Sequence, residues 1–146
     1  MLNIKFIREH PELLQQTADK KGIAVSIQEL LDRDEQRRRL LADIEKLRHD
    51  RNRLSEQIGE KIRKGEYEQA EQTKQQVKQS NEALNDLEAE LAEIEKEYDR
   101  LMLLVPNPVS PDTPDGKSDA DNVEIKRAGK LPAFDFEPKD HVELGE

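Results

Sequence analysis

Nine cations gather in one stretch of this chain: Lys46, Arg48, Arg51, Arg53, Lys61, Arg63 and Lys64, followed by Lys74 and Lys78. Ammonium and guanidinium groups neutralise phosphate, and a stiff support gives such contacts geometric order. A rod with cations toward its end suits RNA chosen by outline and backbone rather than by base edges. Lys46, Arg48, Arg53, Lys61, Arg63, Lys64, Lys74 and Lys78 are therefore the candidate phosphate-binding residues. The same residue types also cover the solvated faces of charge-rich coiled coils, paired to nearby Glu and Asp, and spacing alone does not separate the two. Arg51 stands apart at a seam position opposite Val77, where it serves register or snorkels outward, register being the preferred role.

The formal net charge of −9 argues against a nucleic-acid partner only if it is spread evenly, and it is not. Residues 33–64 carry 11 Lys/Arg against 7 Asp/Glu, whereas residues 66–100 carry 4 against 11. The acidic second stretch reads most plainly as a solvated face. Other chemistries find little support. The chain has no cysteine, which excludes disulfides and thiolate metal sites. His10, His49 and His141 lack ligand-like spacing. Asp112, Asp115, Asp119 and Asp121 lack the glycine and the terminal bidentate Glu of a calcium loop. No metal or other cofactor is expected in this chain. No apolar run resembles a signal peptide or approaches a membrane span, so a cytoplasmic location is the default.

The elements that must position the cations are helices. With 39% charged and 34% apolar residues over 146 positions, any core is thin and elongated. Ile4, Phe6 and Ile7 mark a first short piece. Pro11 opens a second one after His10, containing Leu13 and Leu14 and stopping at Gly22. Ser26 is an N-cap signal, with Glu29 three residues on as a capping-box partner. Leu40, Ile44, Leu47, Arg51, Leu54 and Ile58 then alternate steps of four and three. A second run repeats this: Ala70, Thr73, Val77, Ser80, Leu84, Leu87, Leu91, Ile94, Tyr98, Leu101 and Val105. Heptads sustained this long predict two supercoiled helices.

Arg63, Lys64, Gly65 and Glu66 form the turn between them, making the helices antiparallel neighbours. Pairing Leu30 with Tyr98, Ile44 with Leu84 and Ile58 with Ala70 centres the fold on position 64, and a slip of one heptad would move it to Gly59–Glu60. The expected fold is all-α: a long antiparallel two-helix coiled-coil hairpin over about 27–105, with the short N-terminal helices packed at its base. Leu41, Leu103 and Leu104 broaden the basal stripe and are expected against Phe6, Ile7, Leu13 and Leu14. The small and polar seam near the turn predicts a firm base and a mobile tip. Residues 1–105 thus form one helical domain. Residues 106–146, with Pro106, Pro108, Pro111 and Pro114, form an extended linker. Val123-Glu124-Ile125-Lys126 alternates like a strand but has no partner to pair with.

In order along the chain, several segments resemble the seryl-tRNA synthetase family. They are Met1 to Leu13, Arg51-Asn52-Arg53-Leu54-Ser55-Glu56-Gln57-Ile58-Gly59 and Lys64-Gly65-Glu66. Pro106-Asn107, Asp121-Asn122-Val123-Glu124, Phe134 to His141 and Glu143-Leu144-Gly145-Glu146 complete the set. The chain departs at Ala128 and Val142, each standing where an aromatic is common. The resemblance implies the bacterial-type tRNA-binding arm of a homodimeric class II ligase that attaches serine to its tRNA with ATP and Mg2+. It implies a hairpin that grips the long variable arm and elbow of serine tRNA. It also implies that the linker leads into a catalytic domain missing here, so that this fragment is inactive and monomeric. Two other classes fit a helical hairpin. A holdase would need exposed apolar tips, and Ile62-Arg63-Lys64-Gly65-Glu66-Tyr67 is mostly charged. A passive spacer would leave the ordered tail motif without a role.

Overall fold

A computed structural model describes residues 2–116, 118–130 and 133–145. Its described residues contain no strand. Four α-helices follow in order: α1 Ile4–Glu9, α2 Pro11–Lys20, α3 Ile27–Arg63 and α4 Tyr67–Leu104. The two long helices pack against each other along the hairpin. At ~1.5 Å per residue, the 37 residues of α3 reach roughly 55 Å.

Local chemistry explains each boundary. Asn3 caps α1 by accepting from Lys5 N (2.9 Å), and Pro11 opens α2 where a missing N–H costs nothing. Gly22 (φ 64°) ends α2 and Gly65 (φ 79°) ends α3 with the same pair of bonds. Ile23 N donates to Ala18 O and Gly22 N to Asp19 O. Glu66 N donates to Lys61 O and Gly65 N to Ile62 O. Both glycines occupy the left-handed position that this 6→1, 5→2 stop requires. The hairpin therefore turns at Lys64–Glu66, and Gly59 lies within α3.

The N-terminus of α3 is capped twice. Ser26 Oγ accepts from Glu29 N at 3.2 Å. Gln15, reaching from α2, accepts from Ile27 N at 2.9 Å and donates to Val25 O and Asp19 Oδ1. Ser26→Ala should cost about 1 kcal/mol, a fall of roughly 3–6 °C in Tm by calorimetry. An unchanged Tm would mean that Gln15 alone secures this helix end.

The core is concentrated at the base. Ile7, Leu14, Ala18, Val25, Ile27, Leu30, Leu101 and Met102 are buried together, with Phe6, Tyr98 and Leu104 packed around them. Burial and the neighbouring Asp34 charge, only partly opposed by Arg37 and Arg8, raise the Tyr98 phenol above its ordinary pKa. Outward from the base the predicted seam is followed: Ile44, Leu84, Ala70 and Thr73 are buried, and the intervening seam positions are half-buried.

Two basal expectations fail. Leu103 is 76% exposed and Leu13 is 44% exposed, while Met102 is 4% exposed. With Leu101 facing the seam, Met102 is turned about 100° toward the short helices and Leu103 a further 100° beyond them. On α2 the inward stripe is Leu14, Thr17 and Ala18, which leaves Leu13 on its outer edge.

A buried carboxylate fastens α1 to the hairpin. Asp34, 2% exposed, accepts from Arg8 Nη2 at 2.6 Å and Arg8 Nε at 2.7 Å, with Arg38 Nε at 3.3 Å. Beyond α4, Pro106 is buried and Lys21 Nζ donates to Asn107 O. The compact helical unit runs to Pro111.

Residues 112–145 form a second unit. Within it Ser118 caps a short 3-10 turn, Asp119–Asp121, with Asp121 bonding back to Ser118 N. The alternating segment from Val123 forms no strand. Val123 is 66% and Ile125 95% exposed, and Glu124 pairs locally with Arg127.

Candidate nucleic-acid interface

The hairpin sorts the basic residues into two populations. On the base half of α3 the arginines are engaged within the chain. Arg37 pairs with Glu95 on α4 (2.8 Å) and lies over the Tyr98 ring. Arg38 pairs with Asp34 and Arg39 with Glu35. A groove walled by Arg33 and Arg39 on one side and Glu90, Glu93 and Glu97 on the other carries both signs of charge. None of this recommends the base for phosphate.

The distal half differs. Lys46, Lys64 and Lys78 are exposed and form no ion pair among the described residues. Arg63 bonds only the carbonyl of Gly59 on its own helix (3.2 Å). Arg53 has a 3.3 Å contact to Asp50, and Lys74 a 3.0 Å contact to Glu71, each within one helical turn. Exposed pairs of this kind are worth at most ~1 kcal/mol, so phosphate can displace them. Arg48 is held more firmly by a cross-helix contact to Glu88 at 2.7 Å.

The eight candidates do not form one continuous patch. Lys46 and Arg53 are one heptad apart and share a face of α3. Lys74 and Lys78 share the opposite edge of the hairpin, the edge on which Asn81, Glu88 and Glu95 recur every seven residues. Along that edge Glu95 meets Arg37, Glu88 meets Arg48 and Asn81 meets Arg51, so its sign changes from acidic to basic toward the tip.

Lys61 is set apart from the other candidates. It occupies a seam position, and its Nζ donates to Thr73 Oγ1 (2.8 Å), which in turn donates to Gln69 O. Lys61 closes the tip of the hairpin and is half-buried there. Arg51 lies across the interface, bonding Asn52 Oδ1 (2.8 Å) and reaching Asn81 Oδ1 (3.5 Å) rather than facing Val77 alone. Among the described residues no group of His, Asp or Glu is arranged to hold a metal ion. No helix among the described residues is long and apolar enough to cross a membrane.

Sequence reasoning missed Asp34, Gln15 and the seam role of Lys61. Lys61 could have been found by continuing the heptad one step beyond Ile58. Asp34 and Gln15 carry no such local signal.

An antiparallel helical hairpin with a packed base and a basic outer half defines a class of arm-like domains. The description Seryl-tRNA synthetase N-terminal domain matches residues 1–109. The chain belongs to that family. It is 38% identical to a serine–tRNA ligase of Brachyspira hyodysenteriae over 144 residues, 99% of this chain and 34% of that protein. It is 39% identical to one of Borreliella burgdorferi over 145 residues, covering 33% of that protein. The crystal structure of seryl-tRNA synthetase from Pyrococcus horikoshii complexed with ATP superposes with a TM-score of 0.72 at 34% identity. That match covers 86% of this chain and 28% of the other. The chain spans about a third of the length of the curated relatives it matches.

Proposed function

We propose that this chain is the tRNA-binding arm of a serine–tRNA ligase, and that its outer half grips the long variable arm and elbow of serine tRNA. The observation that carries the reading is the set of exposed cations without ion pairs, Lys46, Lys64 and Lys78, on the distal half of a stiff hairpin in this family. Arg53, Arg63 and Lys74, each held only within its own helix, complete the phosphate-binding set. Arg48 and Lys61 support it by holding the two helices in register.

Aminoacylation, with its ATP and Mg2+, belongs in this reading to the two thirds of the relatives that the chain does not cover. A class II catalytic domain there would also supply the homodimer contacts. This chain is then a binding module without activity of its own, working in the cytoplasm.

Fluorescence anisotropy of labelled serine tRNA titrated with this chain across a salt series tests the reading. The intact tRNA should bind better than the same tRNA lacking its variable arm. Affinity should fall with salt at a log–log slope of roughly −4 to −5, the signature of about six phosphates. Equal binding to both RNAs would overturn recognition of the variable arm by this domain.

A further inference from the structure

The extreme end of the hairpin carries a side chain that phosphate chemistry does not use. Tyr67, the first residue of α4, is 71% exposed, and Ile62 across the turn is 44% exposed. The chain has no Trp and only two Tyr, and the other, Tyr98, packs against the basal core. No Phe lies in the hairpin, so Tyr67 is the one Phe, Tyr or Trp of its outer half, where the only other ring is the imidazole of His49, far from the turn. No ring or side-chain hydrogen bond engages it among the described residues.

Its neighbours do not account for it structurally. The turn is already closed by Gly65 and the two backbone bonds at its end, and the tip seam by Ala70, Thr73 and Lys61. A ring so exposed buries little surface and adds little to the stability of the hairpin. Beside it, however, stand Arg63 and Lys64, which draw a polyanion to this end. Glu66 and Glu68 flank the ring in sequence, but among the described residues neither pairs with Arg63 or Lys64. An exposed aromatic face near such cations is the pairing by which proteins hold unstacked nucleobases.

We infer that Tyr67 stacks on an exposed nucleobase of the bound RNA, so that the tip holds a base as well as the backbone. This deepens the proposed tRNA-binding reading and rests on it. The phosphate contacts supply salt-dependent attraction. The ring supplies a salt-independent contact that fixes where along the RNA the tip comes to rest.

The two contributions separate experimentally. Tyr67→Ala should weaken binding of the serine tRNA transcript about 5- to 100-fold while leaving the salt slope unchanged. Tyr67→Phe should bind like the parent, because the ring face and not the hydroxyl makes the contact. Thermal unfolding of Tyr67→Ala should match the parent, which excludes a structural origin for the loss. In a Tyr98→Phe background Tyr67 is the only tyrosine, and its fluorescence should be quenched as the transcript is added. Salt-dependent binding with unquenched Tyr67 and an unaltered alanine variant would overturn this inference alone. Absence of any binding would remove the underlying reading and this inference with it.

Discussion

Replacing Lys46, Arg53 and Lys64 together by glutamine is expected to weaken binding of serine tRNA by about 100-fold or more at 0.1 M salt, and to flatten the salt slope by roughly 2 to 3. Each cation that neutralises a phosphate releases condensed counterions, contributing about 0.7 to 0.9 to the slope and about 5- to 8-fold in affinity at that salt concentration. These three residues are chosen because all are exposed, and none is held by the opposite helix. Glutamine keeps the helix propensity, and surface changes of this sort shift stability by only about 0.5 kcal/mol. Circular dichroism should therefore show an unchanged hairpin. Arg39→Gln on the base half, where the side chain pairs with Glu35, is the matched control and should leave both affinity and slope as they are. If the triple variant retained the parent slope, these distal cations would not be the phosphate contacts.

The second large effect is on stability. Asp34→Ala should destabilise the chain by about 3 kcal/mol, because breaking a buried pair leaves its partner without compensation. The figure sits at the low end of the usual range because Arg8, one third exposed, can partly rehydrate. Loss of the carboxylate also leaves Arg38 without its contact and frees α1 from α3. Urea unfolding followed by ellipticity should give a lower midpoint at nearly constant m-value. The double variant Arg8→Met, Asp34→Leu should recover most of the loss, since an apolar pair of similar volume avoids the desolvation of two charges. A single Asp34→Ala variant within about 0.5 kcal/mol of the parent would show that the pair does not fasten the base.

Most of the fold could be read from the chain before any coordinates. The alternation of three and four between Leu40 and Ile58, and again between Ala70 and Val105, reports burial directly, because a helix repeats its faces locally. Gly22 and Gly65 announced the two helix stops for an equally local reason, since each stands where the backbone needs a positive φ. The basic stretch was also visible, together with its contrast to the acidic returning helix.

What the chain could not disclose depends on partners distant in sequence. Asp34 looks like an ordinary solvated acid until Arg8, 26 residues away, is brought to 2.6 Å. Gln15 becomes the cap of α3 only when α2 folds back across the base. Met102 rather than Leu103 enters the core because the direction of the short helices, and not apolarity, selects the inward residue. The candidate site divides in the same way. Composition determined that this segment is rich in cations, whereas the tertiary structure decided which of them remain unpaired. Glu88 takes Arg48 from 40 residues away and Thr73 takes Lys61, while Lys46, Lys64 and Lys78 are left to solvent. The number of charges is a property of the chain, but Coulomb attraction falls with distance, and only the packed hairpin sets those distances.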